Sequence, residues 1–443
     1  MSDTKTQFAP APTWTRLEDL VKGFRDQSRS PAETLKAFLD RIESVNPVLN
    51  AFLHLDEEEA YKAAQGSEAR WAKNAPLSPI DGVPFGVKAN IAMQGAPWHA
   101  GIGAYTEQVA LEDATVVERL RQAGAIPLGI LNMHEGALGA TTDNPFFGTC
   151  KNPWDTDRTP GGSSGGSGAA VAAGLCAFAL GTDTMGSVRI PSAYCGVSGH
   201  KPSFGVLPSN GLIDLSPTLD HIGIHASTPS GCALVMDVLA GVHKNTENLR
   251  NIRVGITDWG DAVSCEADIL EAFEGASGIL ENFVSVSHVD LSDVPFGMLR
   301  RRGLLVSEVE GYHVHRKAID AGADGFSEDF TEMLRYGAAQ SQEKIDAAYA
   351  SIKGFGHQFL KLFEAVDVLA MPTAPQRAFR FDEETPANQA DFTALANFAG
   401  APATATPMTA SKNDAPPSIQ FIGKPGADGL TLAVANAYFK TVN

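Results

Sequence analysis

Two serines in glycine-rich surroundings and one lysine closing an apolar run are the residues best placed to do chemistry in this chain. The first serine run is Gly161-Gly162-Ser163-Ser164-Gly165-Gly166-Ser167-Gly168. The second is Gly181-Thr182-Asp183-Thr184-Met185-Gly186-Ser187-Val188-Arg189. No residue between positions 159 and 182 is charged, yet hydroxyls cluster at both ends. Backbone this bare of side chains can approach a bound molecule closely and aim several N–H groups at one point. Attack on a carbonyl by a serine needs such a surface, because the developing oxyanion must be met by fixed donors. Ser163 and Ser187 have the glycine context for it.

Lys88 ends the run Gly82-Val83-Pro84-Phe85-Gly86-Val87-Lys88 and is followed by Ala89 and Asn90, with no acid beside it. A lysine in dry surroundings loses the solvation of its ammonium form, so its pKa falls from about 10.4. Only the neutral amine can take a proton, which is what a lysine base requires. A surface lysine at a strand end is the plain alternative. Lys201, before Pro202, is a second possible base with a less dry flank.

The serine run has other readings. Gly161-x-Ser163-x-Gly165 matches the nucleophile elbow of α/β-hydrolases, but any glycine–serine run produces that match, and no later histidine stands out as its partner. No Gly-Lys-Ser/Thr follows, which argues against a Walker phosphate loop. A flexible structural loop is the remaining alternative. His313-x-His315 and His221-x-x-x-His225 have metal-ligand spacing but no nearby cluster of acids or cysteines, so no metal site is expected.

The elements around these residues follow from periodicity and punctuation. Ser30-Pro31-Ala32-Glu33 reads as a capping box with proline at the first helical position, and Leu35, Phe38, Leu39 and Ile42 recur at helical spacing. Residues 1–75 are therefore expected to be a helical segment packed on a body formed by 76–443. Residues 83–87 and 126–130 read as strands flanking a helix that Asp113 would cap and Gly124 would stop. The apolar stretch 169–180 is too short for a membrane span and suits a buried helix. Strands are expected at 254–257, 283–286, 368–371 and 418–423, a helix at 267–280, and a polar helical cap at about 303–363. This alternation predicts an α/β fold: a single domain with a central mixed, mainly parallel twisted sheet covered by helices on both faces.

Composition limits the partners. The net charge of −18 argues against nucleic acid or an anionic membrane surface as the main one. Five scattered cysteines without a C-x-x-C pair suit buried thiols in a reducing compartment. Residues 1–10 lack the apolar region of a secretory signal, so a cytoplasmic location is expected.

Several motifs together resemble the amidase signature family. They are Pro160 to Ser167, Gly181-Thr182-Asp183, Gly186-Ser187-Val188-Arg189-x-Pro191 and Lys201-Pro202-Ser203. Gly82-Val83-Pro84 with Lys88, Gly139 to Pro145, Asn152-Pro153-Trp154, Leu219-Asp220-x-Ile222-Gly223, Met371 to Pro375, Leu395-Ala396-Asn397 and Ile419 to Gly423 fit as well. The likeness runs from about residue 80 to near the end. It implies a serine–serine–lysine hydrolase without a cofactor, acting on a small amide or urea-like C–N bond. Carried over, Ser187 is the nucleophile, Ser163 a bridging serine in a cis peptide, and Lys88 the base. The backbone N–H groups of Thr184, Met185, Gly186 and Ser187 would form the oxyanion hole. Ser164, Asp183 and Arg189 match family residues that brace the serines, and Met133 matches a pocket-lining position.

Two departures stand out: Met185 where the family usually has glycine, and Ala89 where it commonly has aspartate. The same triad serves the A-type subunit of glutamyl-tRNA(Gln) amidotransferase, which the active-site residues alone do not distinguish. A silent binding protein of the same fold and a Ser163–histidine hydrolase are the other rivals. The expected partner is a small-molecule amide, with no nucleic acid and no membrane, and with a homodimer left open.

Overall fold

The structure, a computed structural model, describes residues 7–242 and 249–442. The expectation about residues 1–10 therefore falls largely on residues 1–6, which lie outside the described residues.

In chain order the strands are β1 (Phe52–Leu55), β2 (Pro84–Lys88), β3 (Ile126–Leu131), β4 (Asp143–Asn144), β5 (Gly148–Thr149), β6 (Phe178–Asp183) and β7 (Ser198–Lys201). There follow β8 (His221–Ala226), β9 (Arg253–Asp258), β10 (Ser285–Asp290), β11 (Val368–Pro372), β12 (Ala403–Pro407) and β13 (Ser418–Gly423). β4 and β5 form a ribbon of their own. Among the described residues the other eleven form one mixed sheet, ordered β1-β3-β2-β6-β8-β7-β12-β13-β11-β9-β10.

The parallel neighbours expected from strand–helix–strand alternation lie on the two flanks, in β3-β2-β6 and in β11-β9-β10. Between them, β8, β7, β12 and β13 pair antiparallel. β12 and β13 are consecutive strands joined by a loop without a crossover helix, a connection that returns the chain antiparallel.

Alternation along single strands shows helices on both faces. In β6, Phe178 and Leu180 enter a core with Leu17, Leu20, Val116, Leu120 and Val235, which come from the helices Leu17–Arg25, Thr115–Gln122 and Pro229–Ala240. Ala179, pointing the other way, joins Leu35, Ile42, Ala60, Ala64 and Ala169 from the helices Pro31–Leu49, Glu57–Trp71 and Gly165–Ala172. A third core, which includes Val254, Leu369 and Phe421, lies under the β9–β11–β13 flank.

Ser30 Oγ accepts the Glu33 N–H at 3.3 Å, the first half of the expected capping box, and Pro31 opens the helix. The segment 1–75 does more than pack on the body, because β1 pairs with β3 at the edge of the sheet. Asp113 does not cap the helix Thr115–Gln122. Its carboxylate takes the Gln94 N–H at 2.7 Å and Arg121 at 2.9 Å, and Ala114 stands at the cap position without a side-chain bond. The stretch 169–180 is not one helix: the helix ends at Ala172, Gly174 turns the chain at φ +67°, and β6 begins at Phe178. The helical region expected from about 303 begins at Phe296 and comprises Phe296–Asp320, Glu328–Ala338 and Gln342–Lys361. No helix among the described residues is long and apolar enough to cross a membrane.

Candidate active site

Lys88 is the last residue of β2, and Thr182 and Asp183 close the neighbouring parallel strand β6. β8 runs antiparallel beside β6 with Asp183 opposite His221, so Asp220, just before β8, reaches the same edge. Carboxyl ends of parallel strands are where open α/β sheets hold their ligands. The sheet thus brings together residues that lie far apart in the chain.

The side chain of Lys88 is wholly buried, with Nζ 2.7 Å from Ser163 Oγ and 2.7 Å from Thr182 Oγ1. Burial lowers its pKa to about 7, an effect opposed by the charges of Asp220 and Asp183. Asn90 Nδ2 donates to the same Thr182 hydroxyl at 3.3 Å, so a threonine and an asparagine orient the amine where Ala89 supplies no acid. Thr182 and Asn90 were not among the residues expected to act. Thr182 stood inside the Gly181-Thr182-Asp183 motif, and Asn90 followed Lys88 by two positions.

Ser163 is buried and follows Gly162 through a cis peptide, and its carbonyl accepts the His134 N–H at 3.1 Å. Its hydroxyl meets the lysine nitrogen. Gly162 has no room for a side chain, since a Cβ would lie 2.7 Å from the Ala140 carbonyl carbon. Ser164 N–H donates to Ser187 O at 3.3 Å, tying the two serine loops together. Ser164 Oγ also bonds both the carbonyl and the N–H of Thr182, at 3.1 and 3.2 Å.

Ser187 is half-buried and lines a cavity of about 420 Å³ with Gly162, Thr184, Met185 and Leu304. Among the described residues the N–H groups of Thr184, Met185, Gly186 and Ser187 have no protein acceptor, whereas Val188 N–H donates to Asp183 Oδ2 at 3.2 Å. The loop can hold this shape because Gly186 sits at φ +138°, where a Cβ would also lie 2.2 Å from Thr393 Oγ1.

Below the loop, Arg189 and Asp183 form a fully buried two-pronged pair, with N–O distances of 3.0 and 2.9 Å. Arg189 further donates to Thr393 O, Gln420 Oε1 and Asn397 Oδ1 at 2.8, 2.9 and 2.7 Å. Asn397 Nδ2 donates to both the carbonyl and the carboxylate of Asp183, each at 3.0 Å. Burial would raise the Asp183 pKa, but the arginine charge and hydrogen bonds outweigh it and hold the carboxyl well below the usual range. Asp220 accepts from Thr184 Oγ1 at 2.5 Å and from two backbone N–H groups, yet burial raises its pKa to about 6.

Lys201 separates from Lys88 by geometry and not by dryness. It is equally buried, and burial also lowers its pKa to about 7, but its Nζ donates to Pro202 O at 2.9 Å and touches neither serine. Met133 is a correction. It is fully buried in the core, its carbonyl takes the Asn144 side chain at 2.9 Å, its Cγ lies against Gly101, and it does not line the cavity beside Ser187. Nδ1 of His221, His225 and His315 meets Leu219 O, Ser192 Oγ and Tyr105 Oη. Among the described residues no three histidines, cysteines or acids gather as metal ligands.

The sequence model of the Amidase family matches residues 33–432. The A-type subunit of glutamyl-tRNA(Gln) amidotransferase from Coxiella burnetii is 32% identical, over 95% of this chain and 96% of its own length. A crystal structure of an amidase overlays with a TM-score of 0.89 at 29% identity, covering 97% of this chain and 100% of its own. A structure from work on a vestigial protein complex and the origins of an s-triazine catabolic enzyme gives 0.89 at 28% identity, over 96% and 98%.

Proposed function

The chain belongs to the amidase signature family, and from that premise we propose that it hydrolyses the C–N bond of a small amide or urea-like substrate through an acyl-enzyme on Ser187. The observation that carries this reading is the buried Lys88 amine held 2.7 Å from the hydroxyl of Ser163, whose neighbour Gly162 lines the same cavity as Ser187. A serine hydroxyl is a weak nucleophile until a base takes its proton. Ser163 can donate and accept at once, so it passes the Ser187 proton to neutral Lys88 as the Ser187 oxygen attacks the carbonyl carbon.

The carbonyl oxygen, now negative, is met by the N–H groups of residues 184–187, where one such donor contributes about 3 kcal/mol. Collapse of the tetrahedral adduct breaks the C–N bond, and the proton returns through Ser163 to the leaving nitrogen. Water then adds to the acyl carbon by the same relay, releasing the acid. Asp183, Arg189 and Ser164 hold the two loops in register without touching substrate.

Release of ammonia or amine from a panel of small amides, ureides and aryl amides tests this. Turnover that vanishes in Ser187→Ala supports it; turnover untouched by that change, or confined to long acyl chains, counts against it.

A second reading is favoured by one observation: relatives at 32% identity are named as the A-type subunit of glutamyl-tRNA(Gln) amidotransferase. On that reading the same site releases ammonia inside a multi-protein complex. Purification under gentle conditions separates the two. A chain that turns over amides alone supports the first, and one that is active only with co-purifying proteins supports the second.

A further inference from the structure

Met185 replaces the family's usual glycine, and its thioether has a specific seat. Met185 Sδ and the ring edge of Phe398 both press on Gly303 of the helix Phe296–Asp320, so closely that a Cβ there would lie 2.8 Å from the sulfur and 2.6 Å from Phe398 Cζ. Met185 lines the cavity beside Ser187. Phe398 lines a second, largely apolar cavity of about 430 Å³ with Leu219, Ile352, Leu360 and Ala399. The two side chains and the bare Gly303 backbone therefore form a wall between two cavities of similar size.

The wall is fixed from behind. Thr393 Oγ1 donates to Met185 O at 2.7 Å, and Asn397, adjacent to Phe398, bonds Asp183. A side chain at 303 would push the sulfur or the ring aside, so glycine there is part of the arrangement.

We propose that the Met185–Phe398 wall sets the acyl-chain length this site accepts, excluding unbranched apolar acyl groups that would otherwise extend into the second cavity. The proposal rests on the Ser187 acyl-enzyme reading. Its chemistry is that of a hydrophobic pocket, where each methylene excluded or admitted changes selectivity by about 10-fold or more.

The test measures labelling of Ser187 by two probes, an ethyl and a dodecyl fluorophosphonate, in the full chain. The quantity read is the ratio of the dodecyl to the ethyl rate constant. In Met185→Gly and, independently, in Phe398→Ala, that ratio rises at least about tenfold over wild type. Phe398→Ala leaves every backbone donor of residues 184–187 in place, so it decides the matter if Met185→Gly loses labelling by both probes. A ratio within about twofold of wild type, in either variant that still takes the ethyl probe, overturns the wall. Wild-type protein that takes neither probe removes the acyl-enzyme reading, and the wall with it.

Discussion

Asn397 Nδ2 lies 3.0 Å from both the main-chain carbonyl and the carboxylate of Asp183, fastening the end of β6 to a helix more than 200 residues later in the chain. Through Asp183 this contact reaches Arg189 and Val188, on the far side of Ser187. The loop that carries the proposed nucleophile is thus held by a buried charge network whose members do not line the cavity beside Ser187.

That network sets a stability prediction. In Arg189→Met the Asp183 carboxylate loses its partner while staying buried, a loss on the order of 3–5 kcal/mol. Denaturant unfolding should show the midpoint falling accordingly. A variant with an unchanged midpoint would mean that the pair holds nothing together.

Lys88→Met removes the proposed base and keeps the volume. General-base catalysis contributes about 10²–10⁴-fold, so kcat/KM should fall by that factor while the thermal midpoint does not drop. The amine must be neutral to work, and burial places its pKa near 7, so wild-type kcat/KM should rise with pH through about 7.

Lys201 offers a linkage test separate from catalysis. Its pKa falls from 10.5 to about 7 on folding, so between those values the unfolded chain binds a proton that the native chain has shed. Stability then rises with pH across that window. Compared with Lys201→Met, the wild type should gain stability from about pH 7 to 10.5, and a constant difference would contradict the burial of a neutral amine.

Gly186→Ala places a side chain at φ +138° and against Thr393 Oγ1. Backbone strain of this kind costs about 1–3 kcal/mol, and fluorophosphonate labelling should slow with it. Adding Thr393→Ala removes the nearest atom but leaves the residue 393 Cβ at 2.8 Å, Ile190 Cδ1 at 2.9 Å and the backbone strain, so recovery should be partial. Full recovery would show that the φ requirement is minor.

The sequence made the ends of the machinery visible and left its middle obscure. Glycine context singled out Ser163 and Ser187, and an acid-free flank singled out Lys88, because those features are local. Dryness alone could not rank Lys88 above Lys201, since both are fully buried; only the contact with Ser163 does that. Asn397 and Gln420 reach Arg189 from late in the chain, and no spacing rule links positions so far apart.

The sheet was legible where crossovers recur and less so between β8 and β13, where loops return the chain antiparallel without a helix to announce it. Met133 was misplaced because a buried core methionine and a pocket methionine look alike in sequence. Met185 was legible only as a departure, and its seat on Gly303 depends on a helix that begins more than 100 residues downstream.

The most direct test of the relay is the pH dependence of Ser187 labelling by an ethyl fluorophosphonate, in wild type, Lys88→Met and Lys201→Met, with the modified residue identified by mass spectrometry. The wild-type and Lys201→Met rates should climb with pH through about 7, and Lys88→Met should be slow with that limb gone. A limb that persists in Lys88→Met, or an adduct on Ser163 in place of Ser187, would contradict the account.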